Sequence, residues 1–385
     1  MATPPVMFWT RLPALLTVAL AVGCADAQPV ERALPGFETN TARRAISLDE
    51  LQAGGPPKGG IPAIDAPRFV PAEAAAVWLA PQEPVVLLRV GGAAKVYPLQ
   101  ILTWHEVVND SLGGGPVAVT FCPLCYSAVA VDRRVETGGG ARTLTFGVSG
   151  LLRHSDLVMY DRQTETLWQQ FTGEALVGDL VGTSLDVLPA QIVSFAQARA
   201  AAPDAPVLSR ETGHDRPYGE NPYVGYDDVD ARPFLFRGPE DGRLPPMARV
   251  VAVEAGGAAR AYPARFTRGA GVVADTLGGV PLVVFHAGGA TTALGERRIA
   301  EAREVGSTGV FRSILERGGE ALALTFRPAP DGAGFVDDQT GSTWAVTGEA
   351  TAGPLSGARL DPVRHHDTFA FAWFAFRPET TVYGE

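Results

Sequence analysis

The chain has 385 residues, enough for two or three hydrophobic cores. With 46% hydrophobic and 19% charged residues it is not a wholly disordered protein. A formal charge of −10, with no run of lysine or arginine, excludes nucleic acid as a partner, because phosphate binding needs a basic surface. Its 44 glycines and 31 prolines punctuate the sequence so often that short strands joined by turns are expected rather than long helices.

The first residues read as an export signal. Arg11 is the only charged side chain before an apolar run, Leu12 to Val22, that is too short to span a membrane comfortably. Small residues then lead into Cys24, in the pattern of a bacterial lipobox. The expectation is a signal peptide over residues 1–23 and lipidation of Cys24. The alternative is ordinary cleavage near Ala25 or Ala27 and a secreted, soluble product. Either reading places the protein outside the cytoplasm. Ala25, rather than an aspartate, follows the cysteine, which points to a periplasm-facing outer-membrane anchor rather than the inner membrane. The lipid is then the only membrane attachment. Residues 24–66, rich in Pro, Gly and polar side chains, read as a tether and irregular entry with a short helix at 47–51.

The body of the chain repeats itself. Residues 86–120 align without gaps to 251–285, with fifteen of the thirty-five positions identical, the signature of a duplicated unit. Gly91-Gly92-Ala93-Ala94 returns as Gly256-Gly257-Ala258-Ala259, Tyr97-Pro98 as Tyr262-Pro263, and Trp168 later as Trp344. The expected fold is mainly β (α+β). It comprises two tandem related β-rich domains with short helices, 67–209 and 247–385, the second a degenerate copy. Residues 210–246, dense in Pro, Gly, Tyr and Asp, read as an extended connector. Within the first unit, Val85–Val90 and Ala94–Tyr97 form a hairpin signal around Gly91-Gly92. The spacing of Ile101, Leu102, Trp104, Val107 and Val108 predicts a helix over 99–109. Strands are expected at 117–121, 128–131, 143–146, 157–160 and 166–169.

Between two of these strands lies Cys122-Pro123-Leu124-Cys125, the two cysteines left once Cys24 is assigned to the leader. Thiolates two residues apart can chelate a soft metal or close a small disulfide. Three readings follow. The first is a copper or zinc site made by Cys122, Cys125 and His105. Glu106, Asn109, Arg153, Asp156, Met159 and Gln169 would support it, and the metal would pass to or from an unknown periplasmic partner. The second is a thiol–disulfide oxidoreductase in which Cys122 attacks, Cys125 resolves and His105, with Glu106, acts as base. A thioredoxin fold is not expected, because a strand rather than a long helix follows the cysteines. The third is a binding or scaffold module with a structural disulfide. His105-Glu106 is not a zinc-protease motif, since Asn109 stands where the second histidine would be.

The repeat acts as an internal control. His105 aligns with Ala270, Glu106 with Gly271, Asn109 with Ala274, Cys122 with Ala287 and Cys125 with Ala290, while glycines, Tyr-Pro and Trp persist. Gln169 and Gln170 also have apolar counterparts. Residues able to do chemistry are replaced together in the second copy, which marks them as one functional set.

Thr103-Trp104-His105-Glu106-Val107-Val108-Asn109-Asp110, Phe121-Cys122-Pro123-Leu124-Cys125, Ser149-Gly150-Leu151-Leu152-Arg153, Asp156-Leu157-Val158-Met159-Tyr160-Asp161 and Leu167-Trp168-Gln169-Gln170 together resemble the bacterial family catalogued as domain of unknown function 3179. The chain departs from that family's pattern at Tyr126 and His154, where asparagine is common. The resemblance implies an exported or lipid-anchored bacterial protein and no established reaction.

Overall fold

Alternation of side chains along the first long strand sets the architecture. Along Pro84–Val90, Val86 and Leu88 enter one hydrophobic cluster, while Val85 and Leu87 enter another. Both faces of this strand are therefore covered. In this computed structural model the described residues are Met1, 34 and 36–385, apart from 331 and 333. Residues 33–385 form one compact unit, and the leader with Cys24 lies outside the described residues. Among the described residues no helix is long and apolar enough to cross a membrane.

The fold is mainly β, as the turn-rich sequence implies, and the strand plan occurs twice. In the first half, Pro84–Val90 pairs antiparallel with Ala93–Pro98 and with Ala190–Ser194. Val207–Leu208 then joins in parallel, with Phe69–Val70 beyond it. In the second half, Arg249–Ala255 pairs antiparallel with Ala258–Pro263 and with His365–Phe369, and Thr381–Val382 joins in parallel. A second sheet holds Val107–Leu112, Gly115–Cys122 and Ser127–Asp132, matched by Val272–Leu277, Val280–Ala287 and Ser307–Arg312. A third begins with the hairpin Phe146–Arg153/Asp156–Asp161, matched by the much shorter Phe326–Pro328/Phe335–Asp337. Trp168 and Trp344 each donate to the aspartate of their own half, Asp161 and Asp337, at 3.0 and 2.9 Å. That explains why both persist as buried anchors.

The two halves do not keep separate cores. One cluster joins Tyr97, Phe121 and Trp168 to Val250, Phe369 and Trp373, and another joins Phe195 to Phe285, Phe311 and Trp344. Three expectations need local correction. The helix covers only Leu99–His105, and Val107 to Leu112 is a strand, so His105 and Asn109 do not share a helix face. The entry segment has the short helical turn expected of it, Leu48–Glu50 capped by Ser47, but it is also packed on the body: Gln52–Ala53 adds an edge strand to Leu151–Leu152, and Phe37, Ile46, Leu48 and Leu51 pack on Val158 and Leu167. Residues 210–246 are more than a connector, because Tyr218, Tyr223 and Tyr226 pack against the cluster that joins the two halves.

Candidate metal centre and adjoining cavity

The cysteines sit on a hairpin connection. Strand Gly115–Cys122 pairs with Ser127–Asp132, with Cys122 opposite Ser127, so Pro123 to Tyr126 make the turn. Pro123 pre-sets its own φ near the turn value, and the Tyr126 amide donates to the Pro123 carbonyl at 3.1 Å. Tyr126 takes a positive φ of 54°. The turn is clamped from outside. Thr368 Oγ1 and the Phe369 amide donate to the Cys125 carbonyl at 2.8 and 3.1 Å, and Tyr226 Oη donates to the Leu124 carbonyl at 3.0 Å.

Asp156 arrives from the long hairpin of the third sheet. Arg153 and Asp156 pair across a two-residue turn, and both turn residues, His154 and Ser155, have positive φ, 53° and 69°. Positive φ at both central positions is the primed-turn geometry that matches strand twist, and glycine or asparagine would adopt it with less strain. The turn brings the Ser155 carbonyl to 3.8 Å from Cys122 Sγ and carries Asp156 beside the thiols. One ligand atom each from Cys122, Cys125 and Asp156 lie within 4.8 Å of one another, and all three residues are buried. The sulfurs are not bonded to each other. The matching hairpin in the second half pairs over only Phe326–Pro328 and Phe335–Asp337, and that half has neither cysteine.

Asp156 is tightly held on one side only. Its Oδ2 accepts from Gln169 Nε2 at 2.6 Å and from the Phe171 amide at 3.1 Å, while its Oδ1 is buried without a hydrogen-bond partner. Gln169 also accepts from Arg153, which is itself paired with Glu50. Gln170 donates to Thr120 Oγ1 and the Ser127 carbonyl, fastening the cysteine hairpin to the third sheet. These bonds explain why the two glutamines differ from their apolar counterparts.

Electrostatically the site is a cluster of acids: among the described residues neither Asp156 nor Glu106 makes an ion pair, and Arg153 reaches Asp156 only through Gln169. Burial pushes the Asp156 carboxyl up to about 6, against the bonds from Gln169 and Phe171. Burial and then Asp156 push Glu106 up to about 8. The Cys122 thiol is raised by burial, with Asp156 and Glu106 adding to it. The Cys125 thiol is raised well above its ordinary value by burial, Cys122 and Asp156. At neutral pH the metal-free pocket therefore holds protons that a cation would displace.

Glu106 occupies an unusual backbone position. It follows the last helical residue with φ 59° and ψ −30°, where the second half has Gly271 at φ 69° and ψ −42°. Glycine is the ordinary residue at such a helix end. A carboxyl-bearing residue kept there costs strain, as residues at functional sites often do. Its side chain is buried and, among the described residues, makes neither hydrogen bond nor ion pair.

The structure does not bring the other expected residues to the sulfurs. His105 stands outside the Cys–Cys–Asp group, and Asp156 takes the place expected for it. Both ring nitrogens of His105 are engaged: Nδ1 at 2.7 Å from the Pro62 carbonyl and Nε2 at 2.6 Å from Tyr218 Oη. A carbonyl only accepts, so Nδ1 carries the proton and Nε2 accepts from the tyrosine. Burial then holds this imidazole neutral, down to about 4, with His214 and Arg216 adding to the effect. Asn109 brackets the Phe146 backbone, donating to its carbonyl and accepting from its amide, and also donates to Asp65. Met159 is a core residue opposite Trp168. Arg153 acts through Gln169, and His154 shapes the turn. Reasoning on the sequence missed Tyr223, Tyr226 and Phe234, which wall a cavity of ≈ 380 Å³ reaching Glu106 and Leu124. The density of tyrosine in 210–246 was the signal for them.

Comparison with known proteins gives one family. Residues 58–380 match the family described as protein of unknown function (DUF3179), and the chain belongs to it. No curated protein and no solved structure matches.

Proposed function

We propose, with membership of that family as the premise, that the protein binds a thiophilic transition metal through Cys122, Cys125 and Asp156. The observation that carries this reading is the convergence of two thiols and a carboxylate within 4.8 Å, with a buried carboxylate oxygen left unpartnered. A tetrahedral zinc ion with Zn–S bonds of ~2.3 Å spaces its ligand atoms ~3.5–3.8 Å apart, so about 1 Å of contraction is enough to close the site. The carboxylate favours zinc over copper(I), which prefers an all-sulfur or sulfur–imidazole set. Three protein ligands leave a fourth position for water or a ligand.

The oxidoreductase alternative has less support. A reactive thiol needs exposure and a nearby cation. Both sulfurs here are buried, their neighbours are acids, and His105 is committed elsewhere. We also read the chain as an exported lipoprotein anchored through Cys24 on the periplasmic side of the outer membrane and exchanging metal with a periplasmic partner. Fatty-acid labelling that disappears in Cys24→Ala tests the anchor.

The test of the metal site is elemental analysis of anaerobically purified protein. About one zinc per chain is expected in the wild type, with little in Cys122→Ser/Cys125→Ser or in Asp156→Asn. Equal metal in wild type and variants overturns the proposal.

A further inference from the structure

The cavity beside the cysteine turn is unlike an incidental packing gap. At ≈ 380 Å³ it is the size of a small-molecule site, which runs from about 300 to 1,000 Å³. Its walls are Ile61, Val148, Leu151, Leu152 and Leu157, with Val224 and Phe234 both half or more exposed beside them. No lysine, arginine or histidine lines it, and Glu106 is its sole acid. Glu106 is more than nine-tenths buried as a residue, and its carboxyl has no hydrogen-bond partner among the described residues. The Tyr223 hydroxyl is equally unpartnered, and Glu106 is the charged group that acts on it most strongly. Tyr226 differs: its oxygen donates to the Leu124 carbonyl and accepts from the Phe234 amide, so it is already spent. The Glu106 carboxyl and the hydroxyl of the half-buried Tyr223 thus open into an apolar chamber with no protein partner, where one ligand atom can satisfy both.

We propose that this cavity binds an uncharged, largely apolar small molecule through one carbonyl oxygen, which accepts from the Glu106 carboxyl and the Tyr223 hydroxyl. A carbonyl oxygen has two lone pairs and takes two donors. An ammonium group brings three donors and needs as many acceptors, and the chamber offers only one free carboxyl. Taking an ammonium ion out of water into apolar walls therefore leaves protons unsatisfied. An anion can take the same two donors, but it faces the Asp156 carboxylate behind them and no lining residue supplies a cation to offset that charge. The wall residues Leu124 and Leu157 neighbour Cys125 and Asp156 in sequence, so a bound carbonyl lies close to the proposed metal centre. Binding itself does not depend on a metal.

The test uses benzylacetone as the probe, with its isosteric primary amine and hydrocinnamate as comparisons. Binding to the full chain is followed by ligand-observed NMR, with and without a chelator. The ketone is expected to bind saturably below about 10 mM, the range for a ligand of this size. The amine and the carboxylate are expected to bind at least about tenfold more weakly. Glu106→Leu weakens the ketone about tenfold, Tyr223→Phe weakens it several-fold, and Glu106→Gln, which still donates, stays within about threefold of wild type. Leu151→Trp fills the chamber and abolishes binding without touching either donor, so the outcome does not hang on one variant's folding. No saturable ketone binding, a preference for the amine, or equal affinity in Glu106→Leu and wild type each overturns the proposal. So does loss of binding on chelation, which would assign the carbonyl to the metal. Failure of metal binding alone leaves the cavity result standing, so the two readings fail separately.

Discussion

Glu106 is a residue whose removal should stabilise the protein. In the folded chain its carboxyl is held at about 8 against an ordinary value of 4.5, first by burial and then by Asp156. A carboxyl raised in this way leaves stability intact below pH 4.5 and erodes it as pH climbs through 8, because the unfolded chain ionises and the folded one resists. With those two values, the metal-free protein carries a penalty of about 3 kcal/mol at pH 7, but only about 1 kcal/mol at pH 5. Glu106→Gln removes the ionisation while keeping shape and backbone, so its advantage over wild type should follow that curve. Glu106→Gly, which copies Gly271, should add a pH-independent gain of about 1 kcal/mol by relieving the positive φ. Part of that gain is offset by the space the side chain leaves. The measurement is urea unfolding of chelator-treated protein at several pH values between about 5 and 8, with the three chains compared at each. A gap between Glu106→Gln and wild type that does not widen with pH would refute this account of the buried carboxyl. So would a wild type more stable than the glutamine variant at pH 7.

Three further outcomes follow from the same geometry. Gln169→Ala, the residue of the second half, strips Asp156 of its 2.6 Å donor and should cost about 1–3 kcal/mol in unfolding free energy. It should also lower zinc affinity, by about 10- to 100-fold as read by competition with a chelator, because the ligating carboxylate loses its orientation. Metal binding should release protons and weaken as pH falls, because the thiols and Asp156 are raised and must be deprotonated to ligate. Proton release measured by calorimetry in two buffers checks this. Buried histidines set an acid limit of a different origin. His366 is lowered to about 3 and His286 to about 4, chiefly by burial, so their neutral forms stabilise the fold above pH 6.5 and that stability drains as pH falls from there. His366→Phe, stacked on Phe171 as the imidazole is, should flatten the loss between pH 6.5 and pH 4 in thermal unfolding.

The fold class was legible because its signals are local. Period-two apolar runs, paired glycines and an ungapped repeat need no tertiary information. The helix end was misjudged because Val107 and Val108 continue a helical spacing that the backbone breaks at Glu106, a residue with no sequence mark of a stop. The cysteine pair, and its absence from the second copy, pointed to a stretch whose thiols the structure places beside Asp156. What the sequence could not reveal is which third group arrives there. His105 lies near the cysteines in sequence and Asp156 lies farther off, yet the strand register and the His154-Ser155 turn deliver Asp156. The imidazole, meanwhile, is drawn off by Pro62 and Tyr218. The cavity was hidden for the same reason. Two of its three polar wall side chains, Tyr223 and Tyr226, come from 210–246, a stretch whose composition reads as linker because its order is imposed by packing on other segments.

That the second half has small residues in place of His105, Glu106, Asn109 and both cysteines does not make it dispensable, because each half holds the other's turn. The segment His365–Phe369, leading into the helix Ala370–Phe376, supplies Thr368 and Phe369 to the Cys125 carbonyl. Its first-half counterpart, Ala190–Ser194 leading into Phe195–Ala201, sends Gln197 to the Gly288 carbonyl and to Ser307, at the place where the second half's own turn has lost its cysteines. Gln191 adds bonds to the Thr308 and Val346 carbonyls. Exchanged clamps of this kind join two related units into one cooperative core, as the shared hydrophobic clusters also indicate. The cysteine turn is thus fixed partly by residues more than two hundred positions downstream. A buried, partly unsatisfied set of acids and thiols needs that rigidity, since a loosely held carboxylate would swing to water and leave the sulfurs without their third partner. The second half can therefore lack the cysteines and still be required, because its structural duty lies in its strand-to-helix clamp rather than in its turn.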